Sequence, residues 1–219
     1  MISRMFTDKL ELKKRCVIIG AAPVFSGYES ISDTDFVIVC DGGLFHALAA
    51  NIAFNVLLGD FDSWKGPLPT GDFETITLPK EKDDTDLMYA VKLAISRGYK
   101  HFLFFGVFGG RPDHFLGNLA AGAYVASQGG LSVLFGQKER IYVVRDNILT
   151  LSPIPGTTIS VLPWGDQLRH VTLTGLYYPL EDATLTNDLP LGVSNAIVQD
   201  TQSPVIQIGE GTAIIVVSQ

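Results

Sequence analysis

Two cysteines in a chain of 219 residues are too few for a disulfide framework or a thiolate zinc site. Cys16 and Cys40 each lie inside an apolar, strand-like run, where a free thiol behaves as a small hydrophobe in a reducing setting. Charge is also scarce. Only 18% of residues are charged, and acids outnumber Lys and Arg by 23 to 16, for a net charge of −7. That balance argues against a broad nucleic-acid or anionic-membrane surface. No uninterrupted apolar stretch reaches the ~20 residues a membrane-spanning helix needs, and residues 1–15 are mixed and charged, without a signal-type apolar core. The expectation is a soluble, cytoplasmic protein with neither a nucleic-acid nor a membrane partner. No G-x-x-x-x-G-K-[ST] loop, G-x-G-x-x-G fingerprint, internal repeat or low-complexity tract is present.

Apolar residues, by contrast, are plentiful at 47%, enough for a sizeable core. Arg15-Cys-Val-Ile-Ile-Gly20, Phe36-Val-Ile-Val-Cys40, Asn55 to Gly59, His101-Phe-Leu-Phe-Phe105 and Leu131-Ser-Val-Leu-Phe135 are short apolar runs of the kind that become strands buried on both faces. Glu74-Thr-Ile-Thr-Leu78 is a further short strand candidate. Helical patterns alternate with these runs. Leu44, Ala47 and Leu48 follow the second strand. Leu87, Ala90, Val91 and Ala94 recur at helical spacing before Gly98, and Pro112 opens a pattern through Leu116, Leu119, Ala120 and Ala123 toward Gly129. Such alternation predicts an α/β unit with a mostly parallel sheet flanked by helices.

Polar residues collect where these strands end, and in such sheets the ligand crevice lies beyond the carboxyl ends of the strands. One strand runs into Asp41-Gly42-Gly43, a turn whose glycines let backbone amides approach a phosphate, although Asp41 could equally cap the following helix. The next delivers Leu57-Leu58-Gly59-Asp60-Phe61-Asp62-Ser63. Alone, D-x-D reads as a turn. Its two carboxylates also suit Mg²⁺, which combines one or two carboxylates with substrate phosphates. Glu81-Lys82-Asp83-Asp84-Thr85-Asp86 then opens a helix. Capping by one carboxylate accounts for part of that cluster, and a bound cation would relieve the repulsion of the rest. The fourth mouth, Gly109-Gly110-Arg111-Pro112-Asp113-His114, offers a guanidinium fork suited to phosphate. His114 alone reads as a first-turn surface residue.

After about Gly136 the pattern changes to short β-rich segments at 141–144, 148–151, 157–162, 170–173, 196–198, 205–208 and 213–217. Turn signals at Pro153-Ile-Pro155-Gly156, Trp164-Gly165-Asp166 and Gly209-Glu210-Gly211 separate them. An all-β sandwich or barrel is expected there, giving two units, residues 1–137 and 138–219.

Six blocks together resemble the thiamine pyrophosphokinase family: Cys40-Asp-Gly-Gly43, Leu58-Gly-Asp-Phe-Asp-Ser63, Asp83-Asp-Thr-Asp-Leu87, Gly109-Gly-Arg-Pro-Asp-His114, Thr174-Gly-Leu-Tyr-Tyr-Pro-Leu180 and Gly192-Val-Ser-Asn195. The resemblance implies an α/β ATP- and metal-binding domain and a β-sandwich that binds thiamine and completes a homodimer, with sites shared between subunits. It implies Asp60, Asp62 and Asp86 as Mg²⁺-side carboxylates, Asp41 and Asp83 in support, and Arg111 facing phosphate. Asp62, Asp86, Arg111 and Asp113 would be catalytic, with Asp113 approaching thiamine. Gly42, Gly43, Thr85, His114 and Asn118 would also contact substrate, while Ser194 and Asn195 would reach the neighbour's site. Here Val193-Ser194-Asn195-Ala196 lacks the flanking threonines common in eukaryotic members. The implied reaction moves the pyrophosphoryl group of ATP to the thiamine hydroxyl and releases AMP. A pyrophosphokinase acting on a hydroxymethylpterin, and a non-catalytic thiamine or nucleotide binder, are the alternatives on the same scaffold.

Overall fold

The structure, a computed structural model, describes residues 5–7, 14–62, 64–81, 83–199 and 203–218. Ser63 of the D-x-D block, Lys82 of the acidic cluster and most of the charged N-terminal segment lie outside these residues. The first strand is β1 (Met5–Thr7), and the apolar runs then become β2 (Arg15–Ile19), β3 (Phe36–Cys40), β4 (Val56–Gly59), β6 (His101–Phe105) and β7 (Leu131–Phe135). β5 (Glu74–Thr77) takes the edge. These strands lie side by side in the order β5-β4-β3-β2-β6-β7, every pairing parallel.

Both faces of that sheet are covered, which is why its central strands read as continuous apolar runs. Val17 and Ile19 of β2 face one side, with Leu44 and Ala47 of α1 (Gly43–Ala49). Cys16 and Ile18 face the other, packed with Leu87, Ala90, Val91 and Ala94 of α2 (Asp86–Ser96) and Leu119 and Ala123 of α3 (Pro112–Ser127). Pro112 opens α3 as expected, and Gly98 and Gly129 follow α2 and α3 in left-handed conformation at φ 83° and 75°. The cap of α2 differs from expectation. Thr85, and no carboxylate, is the N-cap, its hydroxyl accepting from the Met88 N–H at 3.1 Å. A threonine hydroxyl satisfies the orphan amide without adding to the charge of the neighbouring acids.

The remaining strands are β8 (Glu139–Arg145), β9 (Ile148–Thr150), β10 (Thr158–Thr174), β11 (Leu180–Thr186), β12 (Asn195–Ala196) and β13 (Val205–Ser218). β8 runs antiparallel to β7 and to β13, so the strand-rich region continues the parallel sheet by hydrogen bonds. β13 also pairs with β9 and along much of β10, and β1 joins β9 in parallel. Two expected turns are corrected here. Trp164-Gly165-Asp166 lies inside β10 and Gly209-Glu210-Gly211 inside β13. Between Trp164↔Thr212 and Arg169↔Glu210, five steps on β10 oppose two on β13. The glycines therefore serve a bulge that bends two long strands, a use of turn residues that sequence does not separate from chain reversal. β11 was not anticipated. Among the described residues, no helix is long and apolar enough to cross a membrane.

Candidate active site

The carboxyl ends of β2, β3 and β6 open onto a cleft of about 470 Å³. Its floor is small and close-packed. Gly20 and Gly106 touch so tightly that a methyl on Gly106 would meet the Gly20 carbonyl oxygen at 2.2 Å, and Ala22 N–H donates to the Gly106 carbonyl at 2.8 Å. The walls carry the polar groups. Lys80, Asp84, Thr85 and Asp86 come from the approach to α2, and Arg111, His114 and Asn118 from the mouth of α3. Five residues singled out in sequence, Thr85, Asp86, Arg111, His114 and Asn118, thus share one cleft. A second cavity of about 450 Å³ lies beside the β7–β8 turn, lined by Phe135, Tyr142, Lys138 and Arg140 among others, but it has no aspartate in its wall.

Asp41 and the D-x-D loop stand at the cleft's shoulder. Asp41 N–H donates to the Leu58 carbonyl at 2.7 Å, extending the β3–β4 ladder. A methyl on Gly59 would lie 2.9 Å from the Asp41 Cβ, so glycine is what brings these two strand ends together. Cys40 Sγ, at the end of β3, is 3.8 Å from the Asp86 carbonyl oxygen, which ties the same corner to the start of α2. Asp60 Oδ1 accepts from the Asp62 N–H at 3.1 Å across a turn in which Phe61 is left-handed at φ 55°. The D-x-D segment is thus a turn, and that turn carries both carboxylates.

Asp41 does not cap α1. Gly42 is the N-cap residue and makes no side-chain bond. Gly43 has a packing task, since a methyl there would meet the Ile19 carbonyl oxygen at 2.4 Å. Asp83 and Asp113 are exposed and do not line the cleft. Asp113 instead receives a two-point hydrogen bond from Arg111, Nη2 to Oδ2 at 2.6 Å and Nε to Oδ1 at 3.1 Å. These bonds hold the Asp113 carboxyl down at about 2, so it is ionised throughout the neutral range. Asn118 Nδ2 donates to the Val107 carbonyl at 2.9 Å, fixing α3 to the end of β6. Burial pushes both thiols up, and Cys40, beside Asp86 and Asp41, is thereby kept a neutral packing group.

Ser194 and Asn195 are not at this cleft. Ser194 N–H donates to Ser160 Oγ at 3.1 Å. Asn195 is buried, its Oδ1 accepting from the Tyr178 N–H at 2.9 Å and its Nδ2 donating to the Tyr178 carbonyl at 2.7 Å. That bracket holds out Tyr177 and Tyr178, which are 69% and 65% exposed; Leu189, Leu191 and Val193 in the same strand-rich region are exposed too. One cleft residue was missed in sequence. Lys80 Nζ lies 3.1 Å from Asp62 Oδ2, and a lone lysine in a loop carries no pattern by which to find it.

Among the described residues, no three carboxylate, imidazole or thiolate groups form a preassembled metal cage. The donor set still suits Mg²⁺, a hard cation usually held by one or two carboxylates together with substrate phosphates and water.

An open parallel sheet with an acidic, cation-flanked cleft at its strand ends, continued by an antiparallel region, defines an α/β protein whose ligand crevice lies at the carboxyl ends of its strands. The catalytic-domain model of thiamin pyrophosphokinase matches residues 28–133, and the vitamin B1 binding-domain model of the same enzyme matches residues 146–212. The chain belongs to the thiamin pyrophosphokinase family. It is 30% identical to the thiamine pyrophosphokinase of Bacillus subtilis over 120 residues, a stretch that spans 54% of this chain and 56% of that relative. The crystal structure of the B. subtilis enzyme superposes with a TM-score of 0.83 at 24% identity, covering 94% of this chain and 99% of that one. Thiamin pyrophosphokinases from Geobacillus thermodenitrificans (TM-score 0.79, 23% identity, 94% and 97% coverage) and Candida albicans (0.74, 13%, 99% and 93%) share the fold.

Proposed function

We propose that this chain is a thiamine diphosphokinase, a transferase that moves the pyrophosphoryl group of ATP to the hydroxyl of thiamine. The observation that carries this reading is the meeting of Asp41, the D-x-D loop and Asp86 at one corner of a cleft whose opposite wall holds Arg111, in a chain that matches both domains of the family. The thiamine hydroxyl oxygen attacks the β-phosphorus, the bond from that phosphorus to the α,β-bridging oxygen breaks, and AMP leaves. Catalysis of this kind is chiefly positioning and charge stabilisation.

Asp60, Asp62 and Asp86 would hold Mg²⁺, with Asp41 and Asp83 supporting them. When bound, the metal supplies charge neutralisation on the phosphate oxygens and a template for their alignment. Arg111 fits the transferred phosphates as a two-point donor. Thr85, Gly42, Gly43, His114 and Asn118 border the nucleotide. Asp113, with its carboxyl near 2, is a weak base while Arg111 holds it. It therefore suits accepting a hydrogen bond that orients the hydroxyl, and regains basicity once Arg111 turns to phosphate.

We read residues 1–137 as the ATP- and metal-binding domain and 138–219 as a β-sandwich for thiamine binding and homodimer formation. Exposed Tyr177, Tyr178, Leu189, Leu191 and Val193 in that region support self-association, with exposed Ser194 approaching a neighbour's cleft and buried Asn195 holding the Tyr178 backbone behind it. Two buried free thiols suit a reducing compartment, so we place the enzyme in the cytoplasm. The test is acceptor choice: with Mg²⁺ and ATP, AMP release is expected with thiamine. Release with a hydroxymethylpterin and none with thiamine would overturn the acceptor, and release with neither would overturn the enzyme.

A further inference from the structure

We propose that Lys80 is a nucleotide-positioning residue that guards Asp62 until the polyphosphate arrives, an inference that rests on the reading above and extends it. Lys80 follows β5 and lines the cleft. Its ammonium lies 3.1 Å from Asp62 Oδ2, with side chains 69% and 50% exposed. Across the cleft, Arg111 is paired in the same way with Asp113, at 2.6 Å, with side chains 72% and 62% exposed. The third nearby pair, Lys92 with Asp84, differs: its lysine is on α2 and does not line the cleft, and it pins the acidic loop to its own helix.

Among the described residues, the two cleft-lining cations, Lys80 and Arg111, thus each hold an aspartate that the reaction needs bare. Exposed ion pairs of this kind are weak, because water screens them and two flexible side chains must be held in place. A polyphosphate carries several negative charges and outcompetes a single carboxylate for each cation. Lysine's compact ammonium on a long stem can swing from Asp62 to a phosphate oxygen without moving the backbone. The exchange releases Asp62 toward the metal and Asp113 toward the acceptor hydroxyl in one event. Nucleotide therefore binds ahead of thiamine, and metal is held weakly until nucleotide is present.

Lys80→Met separates this role from a structural one, because it moves two affinities in opposite directions. Binding of Mg²⁺–ATP without thiamine, followed by calorimetry, should weaken about tenfold as a charge-assisted contact is lost. Binding of Mn²⁺ alone, followed by its electron spin resonance signal, should tighten about threefold as Asp62 loses its competitor. Lys80→Arg, which keeps the charge, should restore nucleotide affinity. Unchanged values for both ligands in Lys80→Met would overturn the proposal, and so would a parallel loss of both, which would mark damage to the loop. Neither measurement uses an acceptor, so a wrong choice of thiamine would surface in the AMP assay and leave the Lys80 result readable.

Discussion

Replacing Gly43 with alanine loads the joint on which the cleft geometry rests. The added methyl would lie 2.4 Å from the Ile19 carbonyl oxygen and 2.9 Å from that of Gly20, both backbone atoms at the end of β2. Ordinary contact begins near 3.4 Å, so the start of α1 must lift by about 1 Å to accept it. The helix resists, because Leu44 and Ala47 are fully buried beneath it. Overpacking a joint of this kind costs about 1–3 kcal/mol, and alanine's better helix propensity returns up to about 1 kcal/mol. A net loss of about 1–2 kcal/mol should lower Tm by roughly 2–8 °C in a chain of this size. Turnover should suffer more than stability, since a displacement of an ångström at a positioning site can cost up to about 100-fold in kcat. Urea unfolding with an unchanged slope, read beside kcat for AMP release, measures both. An alanine variant with wild-type stability but weakened nucleotide binding would falsify the packing argument, because the glycine would then serve the approach of the ligand.

Asp62→Asn should lower turnover by at least about 100-fold while leaving the circular dichroism spectrum and Tm unchanged, because an amide cannot act as the anionic ligand and the side chain is half exposed; near-wild-type turnover at ordinary Mg²⁺ would remove Asp62 from the metal site. Arg111→Met should let the Asp113 carboxyl rise from about 2 toward its ordinary 3.8, read from the carboxyl carbon by NMR, whereas a titration still near 2 would show that the guanidinium is not its cause. Since the pair lowers the carboxyl in the folded state, its stabilisation is whole above the ordinary carboxylate range and fades as pH falls toward about 2, so this variant should lose that slope on the acid side.

The parallel half of the fold was legible because its physics is local. Short apolar runs closing on polar turns mark strands buried on both faces, and the spacing of Leu87, Ala90, Val91 and Ala94 marks the one side of α2 that meets the sheet. The strand-rich half was legible only as a class. Gly165 and Gly211 look the same in sequence whether they reverse a chain or bend a long strand, and only the register of β10 on β13 decides. β11 escaped because Glu181 and Asp182 interrupt its apolar residues. At the cleft, the strand-end rule led to residues that line one cavity, Thr85, Asp86, Arg111, His114 and Asn118. It could not see that Gly43 is held by the Ile19 and Gly20 carbonyls, or that Asn195 is committed to the backbone of Tyr178. Those facts depend on contacts between segments distant in the chain. Lys80 was invisible for the same reason, its partner lying eighteen residues away.

The central claim is transfer of a pyrophosphoryl group to thiamine, and the fate of the β-phosphorus tests it most directly. With ATP labelled at that atom, Mg²⁺ and thiamine, the label should appear in thiamine diphosphate, with AMP formed in equal amount. Formation of ADP with the label retained in the nucleotide, or recovery of unchanged ATP, would contradict it.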